Sequence, residues 1–404
     1  MFRKIEHKVF RDPVHGYIHV NHQIIWDCIN TKEFQRLRRI KQLGASFQVY
    51  PTAEHSRFSH SIGVYEVCRR MINEVDDLNN AISDYDKTVV LLAALLHDVG
   101  HGPFSHTFEA VSKISHEKYT EMIILGDSEI NQVLKRVGKD FPEIVASVIN
   151  HSHKNKLLSQ IVSSQLDADR MDYLLRDAYF TGTSYGSFDL NRILRTMKVK
   201  DEKLVVKESG VHAVEDYIMA RYHMYWNVYF HPVARSYEAI LTSLFKRMWD
   251  LKDSELMDDY PLLKDFLNED SPNIKSHFKL DEALMLYFFN KMQYSKDKVL
   301  SDLSQRLLNR DLFGYQDILN KKQEEKIIAK ALVKGYDPKY YISKDKLGKT
   351  PYSPYGKDSS SLIYILDKND KVVELSEVSE IVSAISVGKE KSESKIFFPK
   401  ELKK

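Results

Sequence analysis

The stretch VVLLAALLHDVGHGPFSH, residues 89–106, decides the fold. Its eight leading apolar residues are far short of the ~18 that a membrane span needs, so they predict a helix buried in a protein core. That helix runs out on His97 and Asp98, and Gly100, Gly102 and Pro103 stop it. Two polar ligands therefore emerge from a rigid, apolar platform. Adjacent helical residues sit ~100° apart, so both can reach one ion only if it lies in the wedge between them, and other helices must complete the shell.

A lone His-Asp pair is most often a core histidine beside a helix-end carboxylate. Here two further candidates stand in helical settings of similar charge: His60 in EHSRFSHSIGVYEV and Asp169 in SSQLDADRMDYLLRD. Two imidazoles and two carboxylates suit a borderline divalent ion such as Zn, Fe, Mn or Ni, with positions left for water and a substrate oxygen. Such an ion makes water a nucleophile near neutral pH, so hydrolysis is the implied reaction.

The remaining composition fits that expectation. Lys plus Arg count 59 against 57 Asp plus Glu in 404 residues, so there is no global electrostatic footprint for nucleic acid or an anionic membrane. With 43% hydrophobic and 29% charged residues the chain is a packed one, and fibrous or disordered classes are excluded. The amino terminus lacks an apolar signal core, which predicts a cytoplasmic protein. Cys28 and Cys68 are too few for a disulfide framework and read as small buried residues.

Apolar spacing predicts a mainly α fold. Helices are expected over residues 24–42, with a break near Asn30 and Thr31, and over 60–75, 86–98, 116–125, 143–150, 159–177, 190–197 and 213–249. KVFRDPVHGYIHV reads as a small amino-terminal hairpin, and KLVVKESGV as a two-stranded insert turning at residues 208–210. Beyond about residue 250 Lys becomes denser and His scarce. SLIYILDKNDKVVEL there reads as a hairpin, followed by a helix over 378–385. The division is a catalytic core over 1–250 and an α+β appendage over 251–404, serving oligomerisation or regulation.

The strings DPVHG, FQRLRRIKQLG, RFSHS, LLHDVGHGPFSH and DADRMDY, in that order, resemble the HD-domain phosphohydrolases. Within them the resemblance is to deoxynucleoside triphosphate triphosphohydrolases of the type that includes the vertebrate SAM-and-HD-domain enzyme. The resemblance implies an HD-domain helical bundle, with His60, His97, Asp98 and Asp169 as metal ligands. It implies phosphate-side and proton-transfer roles for His101, His106 and His116. Glu109 stands where the family often has Asp, and His106 held by Glu109 is the expected acid for the leaving oxygen.

A triphosphate needs cations, and nothing here resembles a Gly-rich phosphate loop. The resemblance places Arg57, Arg170, Tyr173 and Arg221 around the phosphates, Arg170 standing where better-known members carry Lys, with Mg or Mn accompanying the substrate. Gln42 and Leu43 match positions at the sugar, and Asp177 and Tyr229 match groups near the 3′ hydroxyl and base. Asp172 and Arg176 read instead as a solvated i,i+4 ion pair.

The family also implies a homotetramer activated by GTP, dGTP or another dNTP. Lys8, Asn30, Arg38 and Arg192 match the activator positions, with Asn30 where an Asp would read guanine. The implied reaction converts a dNTP to deoxynucleoside and inorganic triphosphate. Alternatives are hydrolysis of nucleoside monophosphates or signalling nucleotides, or a nucleotide-sensing or nucleic-acid-binding module with little turnover.

Overall fold

The computed structural model describes residues 3–105, 107–109, 114–268, 273–318, 320–348, 362–387 and 392–403. Among the described residues the fold is mainly α, with three small sheets. His106 lies outside the described residues.

The Asp84–Leu96 helix is the buried platform anticipated above. Ser83 caps it by accepting from the Asp86 amide, Asp84 and Asp86 occupy its first turn, and every residue from Thr88 to Leu96 is buried. Against it packs the Arg57–Glu74 helix, capped by Ser56, and against that the Ala168–Thr181 helix, capped by Asp167 and closed by Gly182 at φ 70°. These three helices carry all four expected ligands at or beside their ends. The amino-terminal hairpin pairs Lys4–Asp12 with Gly16–His22 and lays Ile18 and Val20 into the same core.

Several sequence expectations need correction. The helix expected over 159–177 is two, Lys156–Val162 and Ala168–Thr181. Asp167 breaks it, because its carboxylate accepts from the Ser164 and Arg170 amides at 2.6 Å each and restarts the helix. Asp169 therefore sits in a first turn. The helix expected over 213–249 is interrupted by a π-turn at Tyr225–Tyr229, where the Phe230 amide bonds the Tyr225 carbonyl, and it restarts at Pro232, which has no amide hydrogen to donate.

The insert is the hairpin Met197–Lys200 with Lys203–Lys207, turning at Asp201 and Glu202 with φ 49° and 58°, while Glu208–Gly210 leads into the next helix. The helix expected over 378–385 is likewise two, Leu375–Val378 and Glu380–Val387, with Ser379 between them.

Later segments interlock with earlier ones. Tyr364–Leu366 pairs in parallel with Lys203–Lys207, and its own partner Val372–Glu374 completes a four-stranded sheet. A second core joins Ala45, Phe104 and Phe108 to Phe245 and Phe289 across residue 250. Gly314–Asp317, Ser392–Phe398 and Ser343–Gly348 form a three-stranded sheet with Ser392–Phe398 at its centre. No helix among the described residues is long and apolar enough to cross a membrane.

Candidate active site

The Nε2 of His60 lies 3.1 Å from Asp169 Oδ1 and 3.7 Å from Asp98 Oδ2, and the Nε2 of His97 lies 3.3 Å from Asp98 Oδ1 and 3.6 Å from Asp169 Oδ1. Donors held ~2.1 Å from a tetrahedral ion are themselves ~3.4 Å apart. In this cage His60, His97 and Asp169 each offer one atom to such a group, while Asp98 meets His60 through Oδ2 and His97 through Oδ1 and groups with His101 and His116. The tautomers agree. His60 Nδ1 bonds Asp172 at 2.8 Å and His97 Nδ1 bonds the Ala94 carbonyl at 2.9 Å, which leaves both Nε2 lone pairs facing the cage. Both Nε2 atoms are buried without a well-formed hydrogen bond.

Charge fits as well. Burial opposes ionisation of Asp98 and Asp169, yet both stay below the usual carboxylate range: His97, His101 and Arg57 stabilise Asp98, and His60 and His97 stabilise Asp169. Burial likewise opposes a proton on His60, but Asp169 and Asp172 raise it to about 10. His97 is raised by the same balance of burial against Asp98 and Asp169. Protons thus compete with the ion for this cage, and bound ion should be lost as pH falls. Dialysis at pH 5 is expected to remove more metal than dialysis at pH 8, measured by elemental analysis; equal retention would contradict the cage.

Asp172 is not part of a solvated ion pair. It is fully buried, and it takes His60 Nδ1, His15 Nε2 at 2.6 Å, and Arg176 Nε and Nη2 at 2.9 Å each, while Arg176 Nη1 reaches Asp12 at 2.7 Å. The DPVHG turn therefore braces a cage ligand through Asp172. Sequence reasoning missed this role, whose only local signal was an acid three residues after Asp169.

Beside the cage, His101 and His116 stack with ring centroids 3.8 Å apart, and with Asp98 they form a second group able to hold a metal. Glu109 bonds His116 Nδ1 at 2.6 Å and lies 3.6 Å from His101 Nδ1. Among the described residues Glu109 holds His116, while the expected pairing of Glu109 with His106 falls on a residue outside the described ones. Burial and Arg57 push His101 well below the usual imidazole range. Burial acts the same way on His116, but Glu109 raises it.

A cavity of about 730 Å³ opens over Asp98, His101, His116 and Asp169. Of the expected substrate residues, Gln42, Leu43, Arg57, Tyr173 and Tyr229 line it. Arg57 pairs with Asp98 and donates to Ser105 Oγ at 3.0 and 2.9 Å. Asp177 stands behind the wall, taking Tyr229 Oη at 2.7 Å and His55 Nε2 at 2.8 Å.

Arg170 and Arg221 do not line the cavity. Arg170 turns to Asp167 and the Ser164 carbonyl, and Arg221 donates to Gln165 at 2.7 Å. The outer wall comes from residues the sequence did not single out, Ser343, Lys344, Asp345 and Phe397 of the late sheet.

Of the expected activator residues, Lys8 lies over Trp26 and Arg38 over Phe58, rings joined through Phe10, and Asn30 bonds the Trp26 carbonyl, while Arg192 bonds the Ser209 carbonyl.

A helical bundle that brings two imidazoles and two carboxylates together at a cavity has the donor set of a metal-dependent hydrolase, and its family match makes that class the HD phosphohydrolases. Residues 57–177 match the HD domain and residues 188–331 the HD associated region. The chain is 48% identical to the uncharacterized protein YwfO of Bacillus subtilis, over 98% of this chain and 93% of that one. It is 30% identical to the deoxynucleoside triphosphate triphosphohydrolase SAMHD1 homolog of Dictyostelium discoideum, over 77% of this chain and 60% of that one. A phosphohydrolase from Bacteroides thetaiotaomicron superposes with a TM-score of 0.86 at 29% identity, covering 97% of this chain and all of that one. The chain belongs to the HD-domain family, with the HD-associated region.

Proposed function

We propose that the protein hydrolyses dNTPs to deoxynucleoside and inorganic triphosphate. The observation that carries this reading is the position of the cage, at the floor of a cavity with room for a nucleoside triphosphate and with Arg57 beside it. Supporting it are relatives named as deoxynucleoside triphosphate triphosphohydrolases. His60, His97, Asp98 and Asp169 would hold a divalent ion, which would supply Lewis acidity and lower the pKa of water there.

The chain's own groups do the rest. Arg57 offsets phosphate charge. Tyr173, Tyr229, Gln42 and Leu43 receive the nucleoside. Water adds to the α-phosphorus and gives up a proton to solvent, the bond to O5′ breaks, and O5′ takes its proton from His116, whose charged form Glu109 favours against burial. Activation by GTP or dGTP in a homotetramer, through Lys8, Asn30, Arg38 and Arg192, belongs to the same proposal, as does a cytoplasmic setting.

Incubation of each dNTP with Mn²⁺, with and without GTP or dGTP, tests this by ion-exchange separation of the products. Tripolyphosphate alongside deoxynucleoside supports it. Orthophosphate or pyrophosphate as sole product overturns it and favours another phosphohydrolase substrate. His116→Gln is expected to lower kcat by about 100- to 1,000-fold. Because the raised His116 must be protonated to act, wild-type kcat should fall as pH rises through its pKa, and this limb should vanish from the variant's pH–rate profile.

A further inference from the structure

The joint between the helices Ile274–Lys279 and Glu282–Met292, in the HD-associated region, grips the turn that follows Asp98. His277 Nε2 donates to the Gly100 carbonyl at 2.9 Å. Arg36, fully buried, donates to the His101 carbonyl at 2.7 Å and the Leu280 carbonyl at 2.6 Å. Glu282 Oε1 accepts from two amides at once, Phe104 at 3.2 Å and Lys41 at 2.9 Å, and Glu282 is only 4% exposed.

The turn so held is an unusual one. Phe104 and Ser105 are successive non-glycine residues at φ 59° and 50°, a left-handed backbone that persists only where its surroundings over-determine it. Phe104 is fixed by the Glu282 oxygen and by its ring against Phe289, 5.8 Å between centroids. Ser105 in turn presents Oγ to Arg57, which pairs with Asp98. On the other amide, Lys41 leads directly into the cavity residues Gln42 and Leu43. The carboxylate is not needed to cap its own helix, because Asp281 does so by accepting from the Leu284 amide at 2.9 Å.

We infer that Glu282 is a positioning residue: one buried carboxylate oxygen from the HD-associated region locks the left-handed Phe104–Ser105 turn to the Lys41 backbone, and so sets Arg57 and Gln42–Leu43 on the cavity. It touches neither substrate nor ion. The inference rests on the proposed function only for its activity assay.

Three variants test it: Glu282→Gln, which keeps the accepting oxygen; Glu282→Ala; and Met285→Ala, a packing control on the same helix. Each is assayed for kcat/KM, thermal midpoint and amide exchange by mass spectrometry. Glu282→Ala is expected to lose 10- to 100-fold in kcat/KM, as small misplacements of binding groups do, with faster exchange confined to residues 36–44 and 99–105. Glu282→Gln should stay within about threefold of wild type, and Met285→Ala should be destabilised without that loss.

Equal kcat/KM in Glu282→Ala and Met285→Ala would overturn the inference, as would a Gln variant as impaired as the Ala one. If Glu282→Ala does not fold, Glu282→Asp, which withdraws the oxygen by one methylene, takes its place. A wild-type protein inactive on every dNTP would sink the substrate proposal instead. The exchange pattern then decides alone: acceleration confined to those two segments upholds the positioning role, and unchanged exchange overturns it.

Discussion

Asp169→Ala is expected to cut hydrolysis at least about 1,000-fold and to strip the ion from the protein, with the helical circular dichroism preserved. Asp169 Oδ1 lies within 3.6 Å of the Nε2 of both His60 and His97, so one truncation opens two edges of the cage. It also removes a carboxylate that, against burial, favours the charged form of both imidazoles. Folding should survive, because Asp169 is partly exposed and its helix is capped by Asp167. Metal content and turnover measured on the same sample check this. Undiminished turnover would remove Asp169 from the ligand set.

Gly63→Ala is expected to cost about 3–5 kcal/mol of stability, seen as a much lower urea midpoint. A Cβ at this position would lie 1.9 Å from Asp172 Oδ1 and 2.3 Å from Arg176 Nη2. Neither can move away cheaply. Asp172 and Arg176 are both fully buried, and Asp172 also holds His15 and His60. Displacing one leaves an uncompensated buried charge and frees His60 to rotate, so the variant should also bind metal more weakly. A wild-type midpoint would show that the Asp172 brace tolerates an extra methyl group and is looser than the distances indicate.

How much of this the sequence carried depended on whether a residue's partners lie nearby in the chain. His97 and Asp98 were legible because a run of apolar residues followed by a polar pair and two glycines is a local statement about a buried helix end. The break at Asp167 was not, since both flanking helices bury apolar faces in the same core and the periodicity runs on across it. The π-turn at Tyr225–Tyr229 was hidden likewise among aromatic residues that suit a continuous helix.

Asp172 shows the limit most clearly. Its neighbour Arg176 at i+4 mimics a surface pair, while the partners that define its role, His60 and His15, stand 112 and 157 residues away. Glu282 offered no local signal, because its meaning lies in two backbone amides from distant loops. The resemblance picked out His60, His97, Asp98 and Asp169, which the structure brings together, and Gln42, Leu43, Tyr173 and Tyr229, which line the cavity. It did not anticipate Arg170 turning to Asp167, a choice made by a carboxylate three residues upstream.

Anomalous diffraction from a crystal grown with Mn²⁺ measures the cage directly. One peak about 2.0–2.3 Å from His60 Nε2, His97 Nε2 and a carboxylate oxygen of each of Asp98 and Asp169 is the predicted result. A peak elsewhere, with those four side chains turned away from one another, would contradict it.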